Sequence, residues 1–168
     1  GVGARLIERL REGGQTVTAW VPGQALPPVL ARIVDLRPLD PGADLASTVA
    51  LLQGSTGRLW TVTRGAQAAG GVVPDPMGAA FWGLLRVLPV EQPARWGGLI
   101  DLDPSLPAVA QTEALWLALT TATREDQVVV RSGQTAAARL VTAPLISDPA
   151  LAGFRPKSDA AYLITGGL

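Results

Sequence analysis

Short runs of β-branched and aromatic residues alternate along this chain with longer stretches that carry apolar residues at helical spacing. This alternation constrains the fold most, because strands separated by helices of about 10–15 residues favour an α/β parallel sheet with right-handed crossovers. We expect the third apolar run, residues 58–63, to be the most central strand. Strands are predicted over residues 16–21, 31–36, 58–63, 96–102 and 160–164.

In addition to the helical spacing of apolar residues, capping residues indicate where helices begin and end. Asp44 is a candidate N-cap, and the pair Gly13 and Gly14 is a stop signal for the first helix. Helices are predicted up to Gly13 and over residues 45–53, 76–89 and 106–123.

The later part of the chain indicates a domain boundary. Residues 127–141 contain two strand-like runs around a Ser-Gly-Gln turn, a pattern typical of a β-hairpin, and linker-like residues 142–158 follow. We therefore expect residues 1–141 to form one α/β unit and residues 159–168 to open a second. Because the chain starts on a glycine turn and a helix, we also expect a strand to precede Gly1 in a longer protein.

The composition excludes several classes of function. The chain contains no Cys and no His, which excludes disulfides, thiolate nucleophiles, zinc sites built on sulfur and nitrogen, and any Ser-His or Cys-His pair. Fourteen basic residues balance fourteen acidic ones, so no charge excess supports binding to nucleic acid or to an anionic membrane. No apolar run reaches the roughly 18 residues of a membrane span. We expect a cytoplasmic protein without a metal site.

The first six residues partly fit the glycine pattern G-x-G-x-x-G of a dinucleotide-binding turn. Leu6 stands in the place of the third glycine. The acidic residue expected about 20 positions further on is missing, because Trp20, Val21 and Pro22 stand there. The pattern therefore favours a tight turn into a helix without a cofactor.

A second glycine turn follows the last predicted strand. A glycine turn directly after a strand is typical of a phosphate-binding site, because glycines let the backbone approach a pyrophosphate. The residues in this position are Thr165, Gly166, Gly167 and Leu168. An ordinary turn at a strand end fits this short motif equally well.

Other candidate groups favour structural roles. Asp101 and Asp103 lie two residues apart and share one face of a strand, but no third ligand or partner base is nearby, which favours solvated charges at a strand end. Glu125 and Asp126 are expected in a loop before a strand. Tyr162 lacks the Lys four residues on that would lower its pKa, so it is interpreted as a strand residue. The five Trp residues are expected to pack in the core. No residue is assigned a catalytic role.

Several segments, in order, resemble the ketoreductase domain of modular type I polyketide synthases. Residues 59–67 resemble the central strand of its structural subdomain, and residues 80–87 resemble its "WGLGRV" helix with Leu85 in place of a glycine. The other similar segments are residues 91–102 ("E-x-P-x-R-W-G-G-L-x-D-L"), 125–131 with 139–140 ("EDQV-x-x-R … ARL"), 154–156, and 162–168, which match the start of "TGG-x-G-x-x-G".

The resemblance implies a truncated Rossmann-like, short-chain-dehydrogenase-like sheet flanked by helices. In that family such a unit binds no cofactor and braces a catalytic subdomain. The catalytic subdomain uses NADPH to reduce a β-ketoacyl thioester carried on the phosphopantetheine of an acyl carrier protein. Thr165, Gly166, Gly167 and Leu168 would then begin the NADPH site of the full ketoreductase, and the fragment itself would be non-catalytic. Its partners would be the catalytic subdomain, the acyl carrier protein and neighbouring synthase domains.

Two alternatives stay open from the sequence. The chain could belong to a catalytically inactive pseudo-ketoreductase that keeps only the scaffold. It could also be a stand-alone Rossmann-type oxidoreductase, although it has no Tyr-x-x-x-Lys pair.

Overall fold

A computed structural model describes residues 1–27, 30–121, 123–142 and 156–166. The chain divides into two compact units, Gly1–Ala138 and Arg139–Leu168. Most of the predicted linker, residues 143–155, lies outside the described residues. The division into a unit over 1–141, a linker and a second unit stays a prediction.

The first unit is built on a five-stranded sheet, and the predicted α/β class is confirmed. The four parallel strands lie in chain order, and the fifth pairs antiparallel with the fourth. The third strand is therefore the middle one, and the expectation that residues 58–63 are most central is wrong. The strands are β1 (Arg32–Asp35), β2 (Arg58–Arg64), β3 (Trp96–Leu102), β4 (Gln127–Arg131) and β5 (Gln134–Ala137).

Among the described residues, five α-helices accompany the sheet, close to the predicted places. Asp44 caps α2 as expected, accepting a hydrogen bond from Ser47 N at 2.8 Å. The stretch predicted as one helix over 76–89 is two, because Pro89 has no N–H to continue the backbone ladder. The helices are α1 (Val2–Glu12), α2 (Leu45–Gly54), α3 (Pro76–Leu85), α4 (Leu88–Glu91) and α5 (Ala108–Thr120). Within the described part of the chain, none is long and apolar enough to span a bilayer.

Helices cover both faces of the sheet and create two apolar clusters. On one face α1 and α5 pack on β2, β3 and β4, with Leu6 and Leu115 among the buried residues. On the other face α2 and α3 pack on β2 and β3, with Leu51 and Trp82 among the buried residues. The strands advance in one direction while α5 crosses on the face opposite to α2 and α3. The expectation that all crossovers are right-handed is therefore wrong for at least one of them.

Two predicted strands are absent. Residues 16–21 and 160–164 have no strand conformation, and Leu163 and Ile164 are exposed by 91% and 86%. Their composition suits strands, but a strand also needs a hydrogen-bonding neighbour, and neither segment pairs with a described strand. The hairpin prediction is confirmed, since Ser132 and Gly133 both adopt positive φ between β4 and β5.

Candidate functional site at the carboxyl edge of the sheet

The carboxyl ends of parallel strands are where α/β proteins bind ligands. Asp101, near the end of β3, is completely buried there. Its carboxylate accepts hydrogen bonds from Thr63 Oγ1 at 2.7 Å, Ala66 N at 2.8 Å and Gln67 N at 3.1 Å. One aspartate thus joins β3 to the end of β2 and to the loop that follows it.

Arg131, at the end of β4, provides the countercharge. Its Nη2 donates to Asp101 Oδ2, and its side chain is only 10% exposed. The same guanidinium donates to the carbonyl oxygens of Ala69 at 3.1 Å and Gln67 at 2.9 Å. The charge pair is therefore sealed by the loop after β2 and is not presented to a ligand.

Asp103 lies one residue beyond β3 and is 5% exposed. It accepts hydrogen bonds from Ser105 Oγ at 2.6 Å, Ser105 N at 2.9 Å and Ser132 N at 2.8 Å. The Ser105 hydroxyl, followed by the Ser132 and Ser105 amides, lowers the pKa of this carboxyl below its ordinary value. The interpretation of Asp101 and Asp103 as solvated charges is therefore wrong, because each is buried in a separate hydrogen-bond network.

The network continues through Thr63 into the helix layer. Trp82 Nε1, on α3, donates to Thr63 Oγ1 at 2.8 Å, and Thr63 Oγ1 donates to Asp101 Oδ1. Trp82 is 2% exposed, which confirms core packing for this Trp. The other four, Trp20, Trp60, Trp96 and Trp116, are half-buried against the two apolar clusters.

The first glycine pattern, residues 1–6, lies almost wholly within α1, which begins at Val2. Leu6, in the place of the third glycine, is 3% exposed and packs in the cluster beneath α1 and α5. The expected acid position about 20 residues on falls in a loop. The strand that comes next, β1, does end in an acid, Asp35, which is 4% exposed.

The carboxylate of Asp35 is already occupied by neighbouring groups. Arg37 Nε and Nη2 each donate to it at 2.7 Å, the Arg37 amide donates at 3.1 Å, and Thr48 Oγ1 donates at 3.2 Å. The side-chain hydrogen bond to Asp35, followed by the negative charge of that carboxylate, raises the pKa of Arg37. The buried Leu6 and the hydrogen-bonded carboxylate of Asp35 do not fit a dinucleotide at this glycine pattern.

The second glycine turn is described only in part. Gly166 has φ +80°, and a Cβ added there would meet open space, which suits a backbone turn that another group approaches. Thr165 and Gly166 are exposed, whereas the predicted cofactor residues Gly167 and Leu168 lie outside the described residues. Tyr162, expected in a strand, lies in irregular backbone, where its hydroxyl accepts a hydrogen bond from Lys157 N at 2.6 Å.

The remaining candidates do not form a site either. Asp126 lies in the expected loop before β4 and accepts a hydrogen bond from Trp96 Nε1. No group of three or more acidic residues within the described ranges could hold a metal ion. A surface hollow between α1 and α5 is lined by charged side chains such as Arg9 and Glu113, and it contains none of the candidate groups.

The strand order gives a topological reason for the lack of a crevice. Ligands of open α/β sheets bind where the strand order reverses. The described parallel strands run in the order β1-β2-β3-β4 without a reversal. Chemically, the two carboxylates described at this edge, Asp101 and Asp103, are held in fixed positions by hydrogen bonds within the protein.

Comparisons with known proteins agree with one another. Residues 15–140 match the family described as the Rossmann fold domain of the polyketide synthase extender module SpnB. Pikromycin polyketide synthase component PikAIII of Streptomyces venezuelae is 42% identical in an alignment 135 residues long, which covers 74% of this chain and 8% of that protein. Polyketide synthase GfsA of Streptomyces halstedii is 35% identical in an alignment 184 residues long, gaps included, which covers 95% of this chain and 2% of that protein.

Solved structures of ketoreductases are also similar to this chain. A C2-type ketoreductase from a modular polyketide synthase is 31% identical, with a TM-score of 0.58, over 87% of this chain and 33% of that one. An A-type ketoreductase from a modular polyketide synthase is 31% identical, with a TM-score of 0.51, over 80% of this chain and 29% of that one. The chain thus spans about a third of these ketoreductase chains and at most 8% of the two synthase components above.

Proposed function

This chain belongs to the family of Rossmann-fold domains of polyketide synthase extender modules, and from that premise we propose that it is the scaffold half of a modular synthase's ketoreductase. In this role it braces the subdomain that reduces a β-ketoacyl thioester with NADPH. The thioester is carried on the phosphopantetheine of an acyl carrier protein. This chain itself carries out no reduction.

One observation supports this proposal above the others: the polar groups at the ligand-binding edge of the sheet are bound to one another. Asp101 is held by Thr63, Arg131 and two backbone amides, and Asp103 by Ser105 and Ser132. A catalytic acid or base must reach its substrate. Groups that are buried and fully occupied stabilise the sheet instead.

NADPH enters the proposal through the full ketoreductase, where it supplies the hydride. Thr165, Gly166, Gly167 and Leu168 are the cofactor-binding residues we propose from this chain, as the beginning of the pyrophosphate turn. The positive φ of Gly166 supports this role. The glycine pattern at residues 1–6 takes no part, because Leu6 is buried and the Asp35 carboxylate is paired with Arg37.

The proposed partners follow from the multidomain synthases that this chain resembles. They are the catalytic ketoreductase subdomain, the acyl carrier protein and the neighbouring synthase domains, acting in the cytoplasm. Balanced charge argues against nucleic acid or an anionic membrane as a partner.

Two measurements test the proposal. In the first, NADPH is titrated into the 168-residue chain, and no binding tighter than about 1 mM is expected. Micromolar affinity would contradict a scaffold role. In the second, the ketoreductase is produced with and without this Rossmann unit, and reduction of a β-ketoacyl thioester is expected only when the unit is present.

The same reduction assay, run also on the 168-residue chain alone, separates the alternatives. A folded ketoreductase that contains the unit and shows no turnover would support the pseudo-ketoreductase. Full activity without the unit would contradict the bracing role. Turnover by the 168-residue chain alone would support a stand-alone oxidoreductase.

A further inference from the structure

Most arginines of the first unit use their charge inside the chain. Arg37 and Arg131 pair with buried carboxylates, and Arg95 donates to a backbone carbonyl oxygen of α2 at 2.7 Å. Arg32 and Arg58 are exposed. Within the part of the chain that the structure describes, neither of them forms an ion pair or a side-chain hydrogen bond. Their guanidinium groups can therefore contact a second molecule.

The two arginines stand side by side at the amino edge of the sheet. Arg32, the first residue of β1, is the register partner of Arg58, the first residue of β2. Side chains alternate along a strand, so Arg32 shares a face with Val34, and Arg58 shares one with Trp60. Val34 and Trp60 both pack against the cluster beneath α1 and α5, which means that the two arginines project from the same face.

This arrangement does not stabilise the sheet. Like charges directly opposite each other on neighbouring strands repel and are destabilising. Because no acidic side chain among the described residues pairs with either arginine, the repulsion is relieved only when carboxylates from outside lie against both.

Trp60 gives the pair a fixed aromatic support. The guanidinium of Arg32 lies 5.8 Å from the centre of the Trp60 ring, within the range of a cation–π contact. The ring lies against Gly97, where a Cβ would be only 2.5 Å from two ring atoms. Arg32 is thus oriented before a partner arrives, which reduces the side-chain entropy lost on binding. We call Arg32, Arg58 and Trp60 the paired-arginine patch.

We propose that the paired-arginine patch binds an acidic helix of another protein domain, one that carries two carboxylates three or four residues apart. Arginine and tryptophan are the residue types most enriched at the energetic centres of protein–protein interfaces. Each arginine can hold a carboxylate through two parallel N–H···O bonds. The inference goes beyond the proposed function, because this partner is neither the substrate nor the cofactor of a reductase.

The spacing of the arginines favours a helix as the partner. Neighbouring strands lie about 4.8 Å apart, and residues three or four apart on a helix have Cβ atoms about 5–6 Å apart. Same-face residues of a strand are about 6.6 Å apart, which is a poorer match. This chain covers only 8% of PikAIII, so a protein of that kind has many further domains that could supply the helix.

Nucleic acid and anionic membranes fit the patch less well. Their binding sites gain affinity from many positive charges, and juxtamembrane sites carry clusters of about four to eight Lys or Arg residues. The patch contains two arginines, on a chain with no net charge.

Carbodiimide crosslinking tests the assignment, because Lys157 is the only lysine of the chain. The variants Arg32→Lys and Arg58→Lys each place an amine in the patch and keep the positive charge. Arg124→Lys is the control, since Arg124 is exposed in the loop before β4. A water-soluble carbodiimide joins the amine to a carboxylate in contact with it. An amide bond forms, and the carbodiimide takes up the water that is lost and becomes a urea.

Each variant is made in the intact synthase polypeptide, and the crosslinked peptides are identified by mass spectrometry. Arg32→Lys and Arg58→Lys should both crosslink to one acidic segment outside residues 1–168, at carboxylates three or four residues apart. Their yields should exceed that of Arg124→Lys at this segment at least tenfold. Raising NaCl from about 50 mM to about 500 mM should lower the yields at least about threefold, because salt screens exposed charges.

Three results would overturn the inference. The first is that neither patch variant crosslinks outside residues 1–168. The second is that all three variants crosslink equally to the same segment. The third is that about 10 mM phosphate, at constant ionic strength, abolishes the crosslinks, which would assign the patch to a small oxyanion instead.

The reduction assay with and without this unit keeps the inference separate from the proposed function. If the crosslinks form while the reductase is fully active without the unit, the patch is right and the scaffold function is wrong. If reduction requires the unit but neither patch variant crosslinks, the scaffold function stands and the patch is wrong.

Discussion

The guanidinium of Arg131 on β4 lies against the carboxylate of Asp101 on β3, and the two side chains are only 10% and 0% exposed. Thirty residues separate the two in sequence, and the pair closes the edge at which sheets of this type bind ligands. Asp101 also accepts hydrogen bonds from two backbone amides of the loop after β2. The pair therefore fixes that loop as well as the two strands.

Replacing Arg131 with Met should lower the free energy of unfolding by about 3–5 kcal/mol, because Asp101 would keep a buried charge without its partner. Urea unfolding of the 168-residue chain measures this. Arg58→Met is the control, since Arg58 is exposed at the start of β2 and should change stability by less than about 0.5 kcal/mol. Equal effects of the two substitutions would contradict a stabilising role for the pair.

Thr63→Val should lower the free energy of unfolding by about 1–3 kcal/mol, because the substitution removes the hydrogen-bond acceptor of Trp82 Nε1 and a hydrogen-bond donor to Asp101. Thr61→Val, two residues earlier on β2, is a matched control. Thr61 Oγ1 is the one buried side-chain polar atom without a hydrogen-bond partner among the described residues, so its replacement should be neutral or stabilising. The urea unfolding midpoints of both variants measure the difference. A larger loss of stability in Thr61→Val than in Thr63→Val would contradict a stabilising role for the Trp82–Thr63–Asp101 hydrogen bonds.

Much of this fold can be predicted from local sequence patterns, and β3 lies at its predicted bounds. Residues 16–21 show where such patterns fail. Their β-branched composition predicts a strand, but a strand forms only beside a neighbour, and composition carries no information about which strands meet. The same limit affects residues 160–164.

The closed edge of the sheet could not be predicted from neighbouring residues. Asp101 and Asp103 are separated by one residue, yet they belong to different networks. The partners of Asp101 lie far away in both directions: Arg131 is 30 residues later, and Thr63, Ala66 and Gln67 are 34 to 38 residues earlier. The available signal was an aspartate inside an apolar strand, since a buried carboxylate almost always has a charged or hydrogen-bonding partner.

Gly97→Ala should destabilise the chain by about 1–3 kcal/mol, because a Cβ at this position would lie 2.5 Å from the Trp60 ring and 2.6 Å from the Leu59 carbonyl oxygen. Gly83→Ala is the matched control on α3. A Cβ at Gly83 meets nothing within 4 Å, so the substitution should stabilise the helix by about 0.5–1 kcal/mol. Opposite shifts in the thermal midpoint are expected, and shifts of the same sign would contradict the packing of Trp60 on Gly97.

Asp103 should contribute to the acid sensitivity of the chain. Its folded pKa is lowered from 3.8, chiefly by the Ser105 hydroxyl and then by the Ser132 and Ser105 amides. The stability from this group is therefore present above the unfolded pKa and is lost as the pH falls through the lower folded value. Asp103→Asn should be less stable than the parent at pH 7, and the difference should shrink as the pH falls below about 4. Urea midpoints at pH 7, 4, 3 and 2 measure this, with Glu91→Gln at the exposed end of α4 as the control. A difference between Asp103→Asn and the parent that stays constant down to pH 2 would show that the ionised carboxylate is not what Ser105 and Ser132 stabilise.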